Sequence, residues 1–155
     1  MSTVLRVMTI LLFGIPAAFV SVALSGKAPF LWGPALLVAA IYGHIWLRMR
    51  PTRFVVDERG VEVVWPLRRE IIPRERIAHA RILDREALRQ EAGWGMRVGA
   101  GGLWGGFGWL YTSKRGVVRM YISELDRFVW IETTDRKRPW MITPEEPEAF
   151  VRTLG

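Results

Sequence analysis

The segment at residues 7–24 reads VMTILLFGIPAAFVSVAL and contains no charged side chain. A second uncharged segment, PFLWGPALLVAAIYGHIWL at residues 29–47, follows after a short connection. At a helical rise of about 1.5 Å per residue, either segment is close to the roughly 30 Å thickness of the hydrocarbon core of a bilayer. The two segments therefore predict, within residues 1–50, a helical hairpin that crosses a membrane twice.

The charges that flank these segments predict the orientation of the hairpin. Arg6 precedes the first segment, Arg48 follows the second, and Lys27 is the only charge between them. Because positively charged flanks stay on the cytoplasmic side, we expect both chain ends in the cytoplasm. The sequence then describes a multi-pass protein of the plasma or inner membrane. Two tryptophans near opposite ends of the second segment, Trp32 and Trp46, are expected at the membrane–water interfaces.

A cleaved signal peptide is the alternative interpretation of the first segment. Ser21, Val22 and Ala23 resemble the small residues that precede a cleavage site. Cleavage would leave one membrane span and could place the rest of the chain outside the cell.

The rest of the chain, residues 51–155, differs in composition from the hairpin. All 15 acidic residues lie at or beyond Asp57, so the overall 50% hydrophobic content and net charge of +7 average two unlike parts. About a hundred residues can form a core of their own. The chain has no cysteine, which excludes a disulfide framework, a thiol nucleophile and a thiolate metal site.

Short β-branched and aromatic runs predict a mainly β domain here. Residues 54–56 and 61–65 surround a turn that ends in Gly60, which is typical of a β-hairpin. Further runs predict six or seven strands in all, and the glycine-rich residues 93–108 are expected to bend strands sharply. Residues 84–92 fit either a short helix or a charged loop. Thr143 followed by Pro144, with Glu146 completing a capping box, predicts that the last helix begins there.

Three segments resemble the bacterial pleckstrin-homology-like (PH) domain family: FVVDERGVEVV at 54–64, the glycine-rich middle leading to VVRMYI at 117–122, and ITPEEPEAFVRTL at 142–154. The last is similar to the family's Ser/Thr-Pro-Glu-Asp-Pro-x-x-Phe ending. The matching residues are Thr143, Pro144, Glu145, Glu146, Pro147 and Phe150, with glutamate where aspartate is usual. The resemblance covers Thr52 to Leu154. It implies an α+β, mainly β fold: a bent antiparallel sheet or partly open barrel of about seven strands, capped by a C-terminal helix. Family members often follow membrane helices, but the fold alone does not imply a ligand.

Catalytic chemistry is not indicated by any motif. His79 is the only histidine after residue 50, no Gly-x-Ser-x-Gly sequence occurs, and the glycine-rich VGAGGLWGGFGW at 98–109 matches no nucleotide-binding pattern. We therefore predict no catalytic residue, no cofactor, no metal site and no enzymatic activity.

Basic pairs and triplets at predicted turns are the candidate lipid- or partner-binding residues: Arg68, Arg69, Lys114, Arg115, Arg136, Lys137 and Arg138. If they share one edge, they would face anionic headgroups. The alternative is that they are ordinary solvated turns. Trp94, Trp104 and Trp109 fit either a packed core or an exposed aromatic loop at the membrane interface.

The leading functional hypothesis is a membrane-anchored interaction module that binds a protein partner or a second copy of itself. Binding of anionic lipid is the second hypothesis, and an enzyme or transporter subunit is the third. Nucleic acid is not an expected partner, because the positive charge is scattered and the chain carries a membrane segment.

Overall fold

The computed structural model describes residues 2–26, 28–135 and 138–155. Two helices come first: α1, Thr3–Leu24, and α2, Trp32–His44. A 3-10 turn at Pro29–Leu31 precedes α2, and a π-helical turn at Ile45–Met49 extends it. Helix α1 continues through Pro16 without interruption.

Both helical segments are long and apolar enough to span a membrane. They cover Thr3–Leu24 and Pro29–Met49, a few residues more than the predicted spans, and only 11% and 6% of their most apolar windows are buried. A core helix of a soluble domain would be covered by other side chains, whereas these helices leave their apolar surfaces open.

In the described residues, nine strands, a 3-10 turn at Arg74–Arg76 and two short α-helices follow. The strands are β1 Arg53–Asp57, β2 Gly60–Val64, β3 Arg69–Pro73, β4 Ile77–Leu83, β5 Gly95–Gly101, β6 Gly106–Thr112, β7 Gly116–Ile122, β8 Phe128–Thr133 and β9 Trp140–Ile142. Helix α3, Arg85–Ala92, connects β4 to β5, and α4, Pro147–Leu154, ends the chain. The open choice at residues 84–92 is therefore resolved as a helix, which Asp84 caps by accepting a hydrogen bond from the Ala87 N–H at 2.7 Å.

The strands form two sheets, of order β1-β2-β3 and β4-β8-β9-β7-β6-β5. Apart from the parallel pair β7–β9, neighbouring strands are antiparallel. The predicted fold class, a helical hairpin followed by a mainly β PH-like domain with a C-terminal helix, is confirmed. The strand count and the all-antiparallel pairing need correction, and the described strands form no closed barrel.

The six-stranded sheet separates two hydrophobic clusters. The inner cluster lies between the two sheets and includes Val63, Trp65, Ile131 and, from α4, Phe150. The outer cluster, which includes Trp130, lies against α3. Both faces of the central strands are thus buried, so the sheet is a rigid support for its outermost strands.

The glycine-rich segment forms the hairpin β5–β6. Gly99 and Gly108 face each other across it, with φ of +141° and +131°. A Cβ at Gly99 would lie 2.2 Å from the carbonyl oxygen of Phe107, so the two backbones approach too closely for a side chain. Glycine at this pair permits the sharp bend of the hairpin.

The predicted start of the C-terminal helix is wrong. The helix begins at Pro147 with Glu146 as its N-cap residue, and no side chain caps it. Glu146 precedes a proline, which disfavours helical backbone at that position. The Thr143 hydroxyl instead accepts a hydrogen bond from the Ser123 N–H at 2.7 Å, linking the end of β9 to the end of β7.

Candidate functional site at the β5–β6 hairpin

The loop at the tip of the hairpin, residues 102–105, packs against helix α1. The Thr9 side chain is buried in this contact, and its Oγ1 lies 2.7 Å from the carbonyl oxygen of Leu5 and 2.9 Å from that of Gly102. The same oxygen accepts a hydrogen bond from the Trp104 N–H at 2.9 Å. The Thr9 hydroxyl therefore accepts the hydrogen bond of the Trp104 N–H and can donate one to the Gly102 carbonyl.

Aromatic rings extend this contact to both helical segments. The Trp104 ring meets Phe13 of α1 and Trp46 at centroid distances of 5.6 and 4.7 Å, both edge to face. The Arg50 guanidinium lies 4.2 Å from the centre of the Trp46 ring. Trp104 is thus half-buried between the helical hairpin and the domain, which supports the packed alternative; an interfacial position stays a prediction.

Two hydrogen bonds connect the remaining ends of the helices to the domain. The Ser2 N–H donates to the Ser123 carbonyl at 3.1 Å. The Trp65 Nε1–H donates to the Met49 carbonyl at 3.2 Å. The helical hairpin therefore contacts the domain at three places.

These contacts also define the direction of the β5–β6 hairpin. Gly106, at the base of the tip loop, pairs with Ile122, and the next residue, Ser123, bonds to Ser2. The base of the loop therefore lies level with Ser2. The loop itself lies level with Thr9, about 10 Å further along α1. The tip therefore runs alongside α1, and the other ends of β5 and β6 lie away from the helices.

The predicted basic clusters do not share one edge. Arg68 stacks on Trp65 at 4.0 Å, beside the end of the second helical segment. Lys114 and Arg115 lie in the turn between β6 and β7, which is six residues, or about 20 Å, from the tip of the hairpin. Arg138 precedes β9 and lies on the same distant side. Arg136 and Lys137 lie outside the described residues.

Several of these basic groups already have partners. Arg69 pairs with Glu62 at 3.5 Å, and the Lys114 Nζ donates to the Gln90 carbonyl at 2.8 Å. Arg138 lies 5.1 Å from the centre of the Trp109 ring. Trp109 is half-buried and also lies under Arg119, at 5.5 Å.

Arg115 belongs to an ion-pair network with Glu91, Arg81 and Glu132 that joins α3 to β4 and β8. Replacing Arg115 with alanine should lower the free energy of unfolding by about 1 kcal/mol, because half-buried Glu91 keeps only Arg81. Lys114→Ala, which removes a charge from the same turn, is the matched control and should change the free energy of unfolding by less than about 0.5 kcal/mol. Thermal unfolding of the full chain in detergent measures both, and equal effects would contradict a structural role of Arg115.

An exposed apolar surface lies on the inner face of β5 and β6, beyond the area that the three-stranded sheet covers. We call it the ledge and define it as Trp94, Met96, Val98 and Tyr111. Their exposed fractions are 76, 53, 47 and 45%. Met96 pairs with Tyr111 and Val98 with Trp109, so the side chains share one face of the sheet. Exposed contiguous apolar side chains of this kind mark interaction surfaces.

The ledge adjoins an open sheet edge. Strand β5 is the last strand of its sheet. Hydrogen bonds from Ser113 N–H to Trp94 O and from Gly102 N–H to Gly105 O show that even-numbered residues bond to β6. By the alternation of an antiparallel pair, the odd-numbered residues of β5 point their backbone groups outward. These are Gly95, Arg97, Gly99 and Gly101.

Of this surface the sequence indicates only Trp94 as a candidate, and the exposed apolar face of β5 is not predicted from it. The signal of this face is the stretch WGMRVGA at 94–100, in which bulky apolar residues alternate with glycine or arginine. A half-exposed strand is usually recognised by apolar residues that alternate with polar ones, and glycine stands at most of the polar positions here.

The described residues offer little for metal binding or catalysis. None of the described histidines and carboxylates forms a group of three that could hold a metal ion. A cavity of about 310 Å³ lies where β1 begins and β7 ends, lined by Arg50, Arg53, Tyr121 and Thr143 among others. Burial raises the pKa of the Tyr121 phenol, so this group stays neutral at ordinary pH.

Residues 52–155 match a family model described as a bacterial PH domain. No curated protein matches the chain. No solved structure matches it either.

Proposed function

The chain belongs to the bacterial PH domain family, and on that premise we propose that it is a membrane-anchored, non-enzymatic interaction module that binds a protein partner at the membrane surface. The observation that carries the proposal is the ledge together with the open edge of β5. The ledge lies at the end of the β5–β6 hairpin that is away from the helices, and the open edge runs from there toward the tip loop beside α1.

Anchoring is supported by the way the domain meets α1. With 22 residues, α1 is about as long as the hydrocarbon core is thick, so the tip loop beside Thr9 would lie at or below the headgroups. Non-helical backbone is tolerated at that depth only where its polar groups are satisfied within the protein. The Thr9 hydroxyl meets this requirement by bonding the loop.

The same contacts favour two retained spans over a cleaved signal peptide. Cleavage after Ala23 would remove Thr9 and Phe13, which bind the domain. The Ser2–Ser123 hydrogen bond is consistent with a chain start on the domain's side of the membrane. With the positive flanks, this supports cytoplasmic N- and C-termini.

A photo-crosslinking residue tests the proposal in the native membrane. Placed at Met96 of the full chain, it should yield an adduct with a specific protein. Placed at Glu86, an exposed position on α3, it should not. Adducts with lipid alone, or the same protein adducts from both positions, would contradict the proposed binding surface.

A second candidate function, contact with anionic lipid, is favoured by the arginines at the end of the second helical segment. Arg48, Arg50 and Arg53 follow one another closely there, and Arg68 lies beside them, next to Leu67, whose side chain is 61% exposed. Basic residues near a membrane surface each contribute about 1 kcal/mol of attraction to anionic lipid.

A spin label tests the lipid contact. The chain has no cysteine, so Leu67→Cys gives a single labelling site. The label should lose mobility in nanodiscs that contain phosphatidylserine but not in neutral ones, and Arg68→Glu should abolish the difference. Equal mobility in both lipids would remove this candidate.

A further inference from the structure

We infer that the partner binds as an extended segment added to the outer edge of β5, and that its sequence alternates apolar with acidic side chains. The inference rests on the proposed function and specifies the chemistry of the partner. Its basis is the juxtaposition of the open edge, the ledge on one face and an unpaired arginine on the other.

The edge has the form that strand addition requires. It is seven residues long and, apart from Ala100, exposed throughout. Of the residues that offer outward backbone groups, Gly95, Gly99 and Gly101 have no side chain. Sheets commonly protect such edges with prolines, charged side chains or a covering element. Strand β5 contains no proline, its one charged side chain is Arg97, and β6 is its main neighbour among the described elements.

The two faces of the edge differ in chemistry. Side chains of an added strand alternate between the faces. On the inner face they would meet Met96 and Val98 of the ledge, which are apolar and about half exposed. Apolar side chains at alternate positions of the partner would be buried there.

On the outer face the added strand would meet Arg97. Its guanidinium lies over glycines: a Cβ built at Gly106 would be 2.8 Å from a guanidinium nitrogen, and one at Gly101 would be 3.3 Å away. No described acidic group pairs with Arg97, unlike Arg81, Arg115 and Arg119. An exposed, unpaired guanidinium beside an open strand favours carboxylates at the other alternate positions of the partner.

A second copy of the chain fits this edge poorly. Two copies in one membrane are related by a two-fold axis along the membrane normal. Near its tip the hairpin runs alongside α1, so the two β5 strands would run in the same direction. The two-fold axis would place each β5 residue level with the same residue of the other copy, but with the two side chains on opposite faces of the sheet. In paired strands, side chains that are level with one another lie on the same face. A segment of another protein has no such restriction.

Peptide binding to the full chain in lipid nanodiscs tests the inference. The probes are two labelled nine-residue peptides with capped ends, one alternating valine with glutamate and one alternating valine with lysine. We expect the glutamate peptide to bind more tightly, by about fivefold or more. Arg97→Glu should reverse the preference, whereas Arg152→Glu, the same charge change on α4, should leave it unchanged. Val98→Thr should weaken binding of both peptides because it reduces the apolar surface.

The outcomes separate the inference from the proposed function. Equal binding of the two peptides, no binding of either, or a preference that survives Arg97→Glu in a variant that melts normally would overturn the inference. A protein adduct at Met96 in the same preparation would then still support the proposed function. If the chain formed dimers in nanodiscs through the β5 edge, a second copy would occupy that edge, and this result would overturn the inference.

Discussion

Alanine at Gly99 should lower the free energy of unfolding by about 3 kcal/mol or more. The added Cβ would lie 2.2 Å from the Phe107 carbonyl oxygen, at a φ of +141° that side chains rarely adopt. Backbone strain of this kind costs about 1–3 kcal/mol. The clash adds to this cost because the Cβ would meet a backbone atom, which cannot move away as a flexible side chain can. Thermal unfolding of the full chain in detergent, followed by circular dichroism, measures the loss.

Gly116→Ala is the matched control for this prediction. Gly116 also has positive φ, +67°, but nothing lies within 4 Å of a Cβ built there. Its replacement should cost only the conformational term, about 1–2 kcal/mol. If both variants lost the same stability, the close approach of the two strands at Gly99 would not be the reason for the glycine.

Alanine at Trp104 should loosen the attachment of the domain to the helical hairpin. The substitution removes the two edge-to-face contacts, to Phe13 and Trp46, and we expect a loss of about 2–4 kcal/mol. Electron spin resonance measures the effect as a distance between labels on Ser25→Cys and Val98→Cys, in a chain that has no other thiol. The distance distribution should be narrow in the parent and broad in the variant.

Trp94→Ala is the comparison for Trp104→Ala, since both tryptophans belong to the glycine-rich region. The Trp94 side chain is 76% exposed, so its loss should change stability by less than about 0.5 kcal/mol and leave the label distance unchanged. It should instead reduce the protein adduct formed from Met96. A broad distance distribution in both variants, or in neither, would contradict the separate roles of the two rings.

The features that the sequence predicted well are those that local signals encode. Two uncharged segments are sufficient to predict two helices, and the turn ending in Gly60 predicts the hairpin β1–β2, because each signal is contained in a few neighbouring residues. The family resemblance supplied the remaining architecture, from the hairpin at 54–64 to the C-terminal helix.

The features that it missed depend on contacts between distant residues. Nothing near Thr9 indicates that it bonds a loop 93 residues further along the chain. The start of α4 was misplaced because Thr143, a plausible cap, bonds Ser123 of a neighbouring strand. The basic turns could not be placed relative to one another until the order of the strands was known.

Residue-resolved amide hydrogen exchange along β5, in the full chain in lipid nanodiscs, shows whether the outer edge of this strand is open. In the structure, β5 is bonded to β6 on one side and open on the other. The amides of Met96, Val98 and Ala100 should therefore exchange slowly, and those of Arg97, Gly99 and Gly101 should exchange fast. Uniform protection of all these amides would show that the edge is already occupied, and would contradict its role as a binding site for a partner.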